Sequence, residues 1–218
     1  DTESKSAIFY AGDKTGPWKH IDFPSTIRGG YHPNNWMALI EQVEKTDAEV
    51  LILDSFSQEY IGESGLLDVA DKSAKNGNTF TGWKVATPLQ RILLERIRSS
   101  RLHIIATMRA VTEYSVEKNE KGKSAPIKIG LKPQQRDGTD YEFDIMFDIN
   151  MEHIATSNKD RSGLFTNRGG FRITSEIGKE IHEWSNEGLC PEDKPYTFEE
   201  EKSAILRKIC SEFVVIAL

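Results

Sequence analysis

The sequence predicts an α/β fold: a mostly parallel sheet flanked by helices, extended by an antiparallel hairpin. Three observations predict it. Glu49-Val50-Leu51-Ile52-Leu53-Asp54-Ser55 and Leu102-His-Ile-Ile-Ala-Thr107 are short apolar runs that end abruptly in polar groups. Each follows a stretch with apolar residues at helical spacing, and helix-then-strand in succession is the pattern of βαβ units. Between residues 109 and 136 the pattern becomes alternating and lysine-rich around a turn, which reads as a hairpin.

The elements follow in order. Ser6-Ala-Ile-Phe-Tyr10 reads as a short strand broken by Gly12 and Gly16-Pro17, and His20-Ile-Asp-Phe23 as another. Pro33-Asn34-Asn35 opens a helix to about Lys45, with Trp36, Leu39, Ile40 and Val43 on one face. The run at 49–53 has no polar alternation, so it is expected to be a strand covered on both faces. Ser55-Phe-Ser-Gln-Glu59 reads as a polar exit loop, and Gly65 to Lys72 as a helix stopped by Asn76-Gly77. Trp83 to Ser99 is a longer helix with Leu89, Ile92, Leu93 and Ile97 as its stripe and Pro88 near its first turn.

Val111–Val116 and Pro126–Ile129 are the hairpin strands, with Asn119–Ser124 as the turn. Tyr141 to Ile149 alternates apolar and acidic residues, as expected of a strand with one wet face, and Glu152–Thr156 is its antiparallel neighbour. Ser157–Gly163 is then a polar loop. Thr174-Ser-Glu-Ile177 has a capping-box pattern and opens a helix with Ile177, Ile181 and Trp184 inward. Pro191–Pro195 reads as a linker and Phe198 to about Val214 as a final amphipathic helix. The expected organisation is a core over 1–188, with the hairpin inserted at 109–136, and a linker plus helix over 189–218.

Composition narrows the function classes. The chain has 218 residues, 38% of them apolar and 28% charged, which is ordinary for a globular domain with an appendage. A net charge of -6 disfavours global binding to nucleic acid and confines any such contact to a local basic patch. Residues 109–136 supply one: seven basic residues stand there against three acidic. Two cysteines, Cys190 and Cys210, make no CxxC and no disulfide framework, so a reducing compartment is expected. No apolar run approaches membrane-spanning length. His32, His103, His153 and His182 show no metal-ligand spacing, Trp36, Trp83 and Trp184 read as core anchors, and no GxSxG is present.

Asp54 carries the chemistry. A carboxylate just past a buried strand stands at the C-terminal edge of the sheet, where open α/β sheets bind ligands. There it either holds a metal ion or simply begins a loop or caps the next helix.

Taken together, Leu51-Ile-Leu-Asp-Ser55, Gly65-Leu-Leu-Asp-Val69, Ile105-Ala-Thr-Met-Arg109 with Thr112-Glu-Tyr114, Gln135-Arg-Asp-Gly138 with Tyr141-Glu-Phe-Asp144, and Ser157-Asn-Lys-Asp-Arg-Ser-Gly-Leu-Phe165 resemble the phage-type RecA-like AAA family of ATPases. The resemblance covers roughly residues 1 to 187 and implies a RecA-like P-loop NTPase core with ATP and Mg²⁺ as cofactors. It implies that Asp54, with Ser55 beside it, is the Walker B carboxylate on Mg²⁺. Glu3, in Asp1-Thr-Glu3, resembles the general base on the attacking water. Thr107 resembles the polar sensor of the γ-phosphate, and Lys159 and Arg161 resemble a Lys-x-Arg finger that reaches the neighbouring subunit's nucleotide, so a homo-oligomer is expected. The hairpin sits where RecA-like proteins place a DNA-binding loop. Arg109, Lys118, Lys121, Lys123 and Lys128 would neutralise phosphates of single-stranded DNA and Tyr114 would stack on a base.

The sequence contains no GxxxxGK[ST]. In the family that motif precedes the strand ending in Asp-Thr-Glu, so the expectation is that the first strand, the P-loop, its helix and most of the second strand are missing from the sequence. The function implied is ATP hydrolysis coupled to phage-type recombination or strand annealing, in the cytoplasm of a bacterial host or phage-infected cell. The alternatives are a non-hydrolysing DNA- or protein-binding module on the same fold, or a helicase-loader or motor ATPase.

Overall fold

The computed structural model describes residues 1–2, 6–10, 18–23, 29–118 and 124–187, and for 113–118 and 124–130 the backbone alone. Cys190, Cys210 and the expected linker and helix over 189–218 lie outside the described residues. By packing, the chain divides into two units. One comprises Asp1–Asp148 with Ser157–Arg161, and the other Ile149–Thr156 with Ser162–Leu218.

In the first unit, α1 (Pro33–Glu44) begins with Pro33, whose fixed φ suits a first helical turn, and buries Trp36, Leu39, Ile40 and Val43 as their spacing predicts. It packs with α4 (Thr79–Arg98) on one side of β1 (Val50–Leu53) and β2 (His103–Ala106). Trp36, Ile40, Leu53, Phe56 and Leu93 form the heart of this core. Burying each such side chain contributes about 1.5–3 kcal/mol. Arg101 ties the layers together. Its guanidinium donates to the carbonyls of Glu44, Thr46 and Ala48, at 2.6–3.0 Å, so a cation satisfies the C-terminal end of α1.

β1 and β2 are parallel and in register from Val50 opposite His103 to Leu53 opposite Ala106. They are the parallel sheet of the described residues, two strands wide. The expectation that β1 is covered on both faces is corrected. Val50 is 48% exposed, Ile52 59% and Ile105 53%, because among the described residues α1 and α4 cover one face alone.

Two further helices complete this unit's α-layer. α2 (Ser57–Ile61) replaces the expected polar exit loop, and α3 (Leu66–Ser73) packs on α4 around Leu66, Ala70 and Ala86. Gly82 of α4 lies so close to α3 that a Cβ there would stand 1.8 Å from the Ala70 carbonyl oxygen. α4 starts four residues earlier than expected, capped by the Asn78 side chain, which accepts from the Phe80 amide at 3.0 Å. Pro88 therefore lies inside the helix and not in its first turn.

β3 (Ala110–Lys118) and β4 (Ser124–Pro133) form the antiparallel hairpin, with an irregularity between Glu113 and Tyr114. A 3-10 helix at Thr139–Glu142 precedes β5 (Ile145–Ile149), which pairs with β6 (Ala155–Asp160). Three more expectations are corrected here. Ser6–Tyr10 is a 3-10 helix and not a strand, and residues 20–23 are irregular. The polar run from Ser157 to Asp160 is strand and not loop.

In the second unit Ala155 and Phe171 exchange backbone hydrogen bonds, Ala155 N–H to Phe171 O at 2.7 Å and the return at 2.9 Å. Phe165 is buried and stacks on Phe171. α5 (Ser175–Asn186) buries Ile177; Thr174 is its N-cap residue but its side chain makes no capping bond. Among the described residues no helix is long and apolar enough to cross a membrane.

Candidate functional site

Two strand ends meet where the parallel pair stops. One residue past β1 lies Asp54, and one past β2 lies Thr107. The register that pairs Leu53 with Ala106 therefore sets these two side chains next to each other. The Thr107 hydroxyl donates to Asp54 Oδ1 at 2.6 Å, a length typical of bonds to an ionised oxygen. The backbone holds the pair as well: Thr107 N–H donates to Leu53 O at 3.0 Å, and Phe56 N–H donates to Thr107 O at 2.8 Å. Among the described residues the second oxygen of Asp54 has no hydrogen-bond donor.

A third segment joins them. Thr2 is buried, and its amide donates to Asp54 O at 2.6 Å. Its hydroxyl oxygen accepts from the Ser55 amide at 2.7 Å. The Asp54–Ser55 peptide is cis. Thr2 was given no role by sequence reasoning, although it stands inside the Asp1-Thr-Glu3 signal. Glu3 itself lies outside the described residues.

The next turn is dry. Ser57 and Glu59 have no exposed surface, and Gln135, arriving from beyond β4, is 5% exposed. Gln135 Nε2 donates to Glu59 Oε2 at 3.0 Å and to Phe56 O at 3.4 Å. Glu59 Oε1 is buried without a partner among the described residues. Burial pushes the Glu59 carboxyl up to about 7, against the opposing pull of the Gln135 hydrogen bond and the Arg136 charge. Arg136 in turn lies over the Trp83 ring, 4.8 Å from its centre, and donates to Gln90 Oε1 at 3.0 Å. Neither Glu59 nor Gln135 was assigned a role from sequence. A glutamate after Ser57-Gln58 carries no mark of burial. Gln135, at the head of Gln-Arg-Asp-Gly138, was the available signal.

Lys159 and Arg161 make their bonds away from Asp54. Lys159 Nζ donates to the Tyr141 carbonyl and sits over the Tyr141 ring. Burial, and secondarily the neighbouring Arg161, push the Lys159 ammonium below its ordinary range. Arg161 pairs with Asp144 Oδ1 at 3.0 Å and also reaches the Tyr141 carbonyl. The two cations thus share one anchorage on the Tyr141–Asp144 segment, and none of these bonds goes to Asp54 or Thr107. Arg109 opens the hairpin, its amide donating to Ser57 Oγ at 2.9 Å. Tyr114, Lys118 and Lys128 fall on the hairpin strands, where the backbone alone is described, and Lys121 and Lys123 lie outside the described residues. No group of three or more His, Cys, Asp or Glu side chains among the described residues is arranged to hold a metal ion.

A family model described as an AAA domain matches residues 18–173. No curated protein and no solved structure matches the chain.

Proposed function

The chain belongs to the AAA-domain family of P-loop nucleotide-binding ATPases, and from that premise we propose that it is a RecA-like subunit that hydrolyses ATP with Mg²⁺ and acts on single-stranded DNA. One observation carries the reading: the 2.6 Å bond from the Thr107 hydroxyl to Asp54 at the C-terminal ends of adjacent parallel strands. That is the place where an α/β sheet receives a phosphate-bearing ligand.

The donor set fits the ion. A single carboxylate flanked by hydroxyls offers hard oxygen atoms, and Mg²⁺ is commonly held by one or two carboxylates together with phosphates and waters. Asp54 would hold it, with Thr107 fixing the carboxylate's orientation and Ser55 alongside. When bound, the ion neutralises charge on the phosphate oxygens. The phosphate cradle itself is not supplied by any GxxxxGK[ST] in this sequence.

The chain's own groups then take these parts. Glu3 accepts a proton from the attacking water. Thr107 links the Asp54 edge to the hairpin, whose first strand starts three residues later. Lys159 and Arg161 present positive charge to a neighbouring subunit's phosphates in a homo-oligomer. Arg109, Lys118, Lys121, Lys123 and Lys128 meet the DNA backbone and Tyr114 stacks on a base. The local basic surplus of the hairpin in an otherwise acidic chain supports this partner, and phage-type recombination or strand annealing is the setting that the sequence resemblance supplies.

The test is steady-state ATP turnover, with and without an oligo-dT strand, in the full natural protein. Asp54→Ala is expected to reduce turnover by about 100-fold or more, the scale of losing a charge-stabilising group from a phosphoryl-transfer site. Turnover that survives the substitution removes the metal role of Asp54.

A further inference from the structure

The hairpin is rooted in the turn that follows Asp54. Where β3 begins, the Arg109 amide donates to Ser57 Oγ at 2.9 Å. Where β4 ends, the Gln135 side chain donates to Glu59 Oε2 and to Phe56 O, at 3.0 and 3.4 Å. The two roots are closed on each other by Gln134 N–H donating to Arg109 O at 2.6 Å. The same turn is tied to the strand ends, through Phe56 N–H to Thr107 O at 2.8 Å and Ser57 N–H to Ser55 Oγ at 3.3 Å. A displacement of Asp54 and Ser55 is therefore passed to the base of the hairpin through these bonds, of which the Ser57–Ser55 bond and both Gln135 bonds are buried.

Glu59 is an expensive way to fill this position. A carboxylate with no exposed surface and one unpartnered oxygen is less stabilising than an apolar side chain of similar volume. Packing alone does not account for its chemistry. A directional hydrogen bond to a side chain from another segment does.

We propose that Glu59 and Gln135 are positioning residues, forming a clamp that makes the hairpin's grip on single-stranded DNA depend on the state of the Asp54 site. This rests on the reading of Asp54 as the nucleotide edge and of the hairpin as the DNA contact. Arg136, beyond β4, is the charged group whose field reaches Glu59, and Tyr60 on α2 is the titratable neighbour that feels the Glu59 charge. The clamp bond is to an oxygen that changes charge near neutral pH, so the coupling changes with pH.

The experiment measures the anisotropy of fluorescein-labelled oligo-dT bound to the full natural protein, with Mg²⁺ and with or without a non-hydrolysable ATP analogue. The readout is the ratio of the two affinities. Wild type is expected to show a ratio of about fivefold or more. Glu59→Met and Gln135→Met each break the same bond from one side while keeping volume, and each is expected to bring the ratio towards one, so one folded variant suffices. Glu59→Gln keeps an acceptor for Gln135 and cannot ionise. It is expected to keep the ratio and to remove its variation across roughly pH 6–8. Asp54→Ala separates the two levels. If it abolishes the ratio while both Met variants keep it, the clamp is wrong and the Asp54 reading stands. If wild type shows no ratio, the clamp is wrong, and the Asp54 reading is decided by the turnover of Asp54→Ala. A Glu59→Gln protein as defective as Glu59→Met also overturns the clamp.

Discussion

Glu59 ionises at a cost to the folded state, and the sign of that cost is fixed by burial. Its carboxyl is raised from 4.5 to about 7, so between those values the folded chain keeps a proton that the unfolded chain has released. Its contribution to stability is complete below pH 4.5 and is lost as pH rises to about 7. The total is about 3 kcal/mol, from 1.36 kcal/mol for each pKa unit. Urea unfolding across this range should show wild type losing about that much relative to Glu59→Gln, with no further divergence above it. Parallel curves for the two proteins would mean that Glu59 is not buried as described. Asp54 and Thr107 could be picked out of the sequence because each is the first polar residue after an apolar run, and strand ends are where a parallel sheet exposes side chains. Glu59 could not, because Ser-Gln-Glu has the composition of a solvated loop and its buried partner, Gln135, lies 76 positions further along the chain.

Among the helices, α3 and α4 approach closely, and Gly82 is the reason. Alanine favours a helix over glycine by about 1 kcal/mol, so on propensity alone Gly82→Ala would stabilise α4. The added methyl meets a backbone oxygen at 1.8 Å, which no rotamer change relieves. The helices must separate, loosening the packing of Leu66, Ala70 and Ala86. Overpacking of this kind costs about 1–3 kcal/mol and outweighs the propensity gain. A lowered thermal midpoint is the expected result; an unchanged or raised one would show that α3 yields freely. The long amphipathic helices α1 and α4 were legible because their apolar stripes repeat over several turns. The short α2 was not, since five residues are too few to display a period, and the β-forming Ile-Phe-Tyr of Ser6–Tyr10 was overridden by its surroundings. The hairpin strands run longer than their alternation predicted, and β6 takes in the polar residues after Ala155 because backbone pairing needs no apolar side chain.

At the scale of the molecule, the expected reach of one subunit towards the next is testable. Lys159 and Arg161 are held on their own chain by Tyr141 and Asp144, which gives them a defined presentation and leaves their action on a neighbour's phosphates as the proposal. Lys159→Ala should cripple hydrolysis in a homogeneous oligomer. Mixing it with Asp54→Ala, which keeps the cation but lacks the carboxylate, should restore turnover at the interfaces where an intact carboxylate meets an intact lysine. Mixtures as inactive as their components would contradict action in trans. The α/β class was readable from two helix–strand successions. What was not readable is how the described residues cover the sheet: Val50, Ile52 and Ile105 look in sequence like the inside of a two-sided core, and among the described residues the packing of α1 and α4 serves one face.

The most direct measurement is the magnesium dependence of nucleotide affinity in the full natural protein, comparing wild type with Asp54→Asn. The substitution keeps the acceptor for Thr107 and removes the charge that holds the ion. If Asp54 and Thr107 form the edge of a magnesium–nucleotide site, wild type binds ATP more tightly as Mg²⁺ is raised and Asp54→Asn gains little. An Asp54→Asn protein whose affinity climbs with Mg²⁺ as steeply as wild type would contradict it.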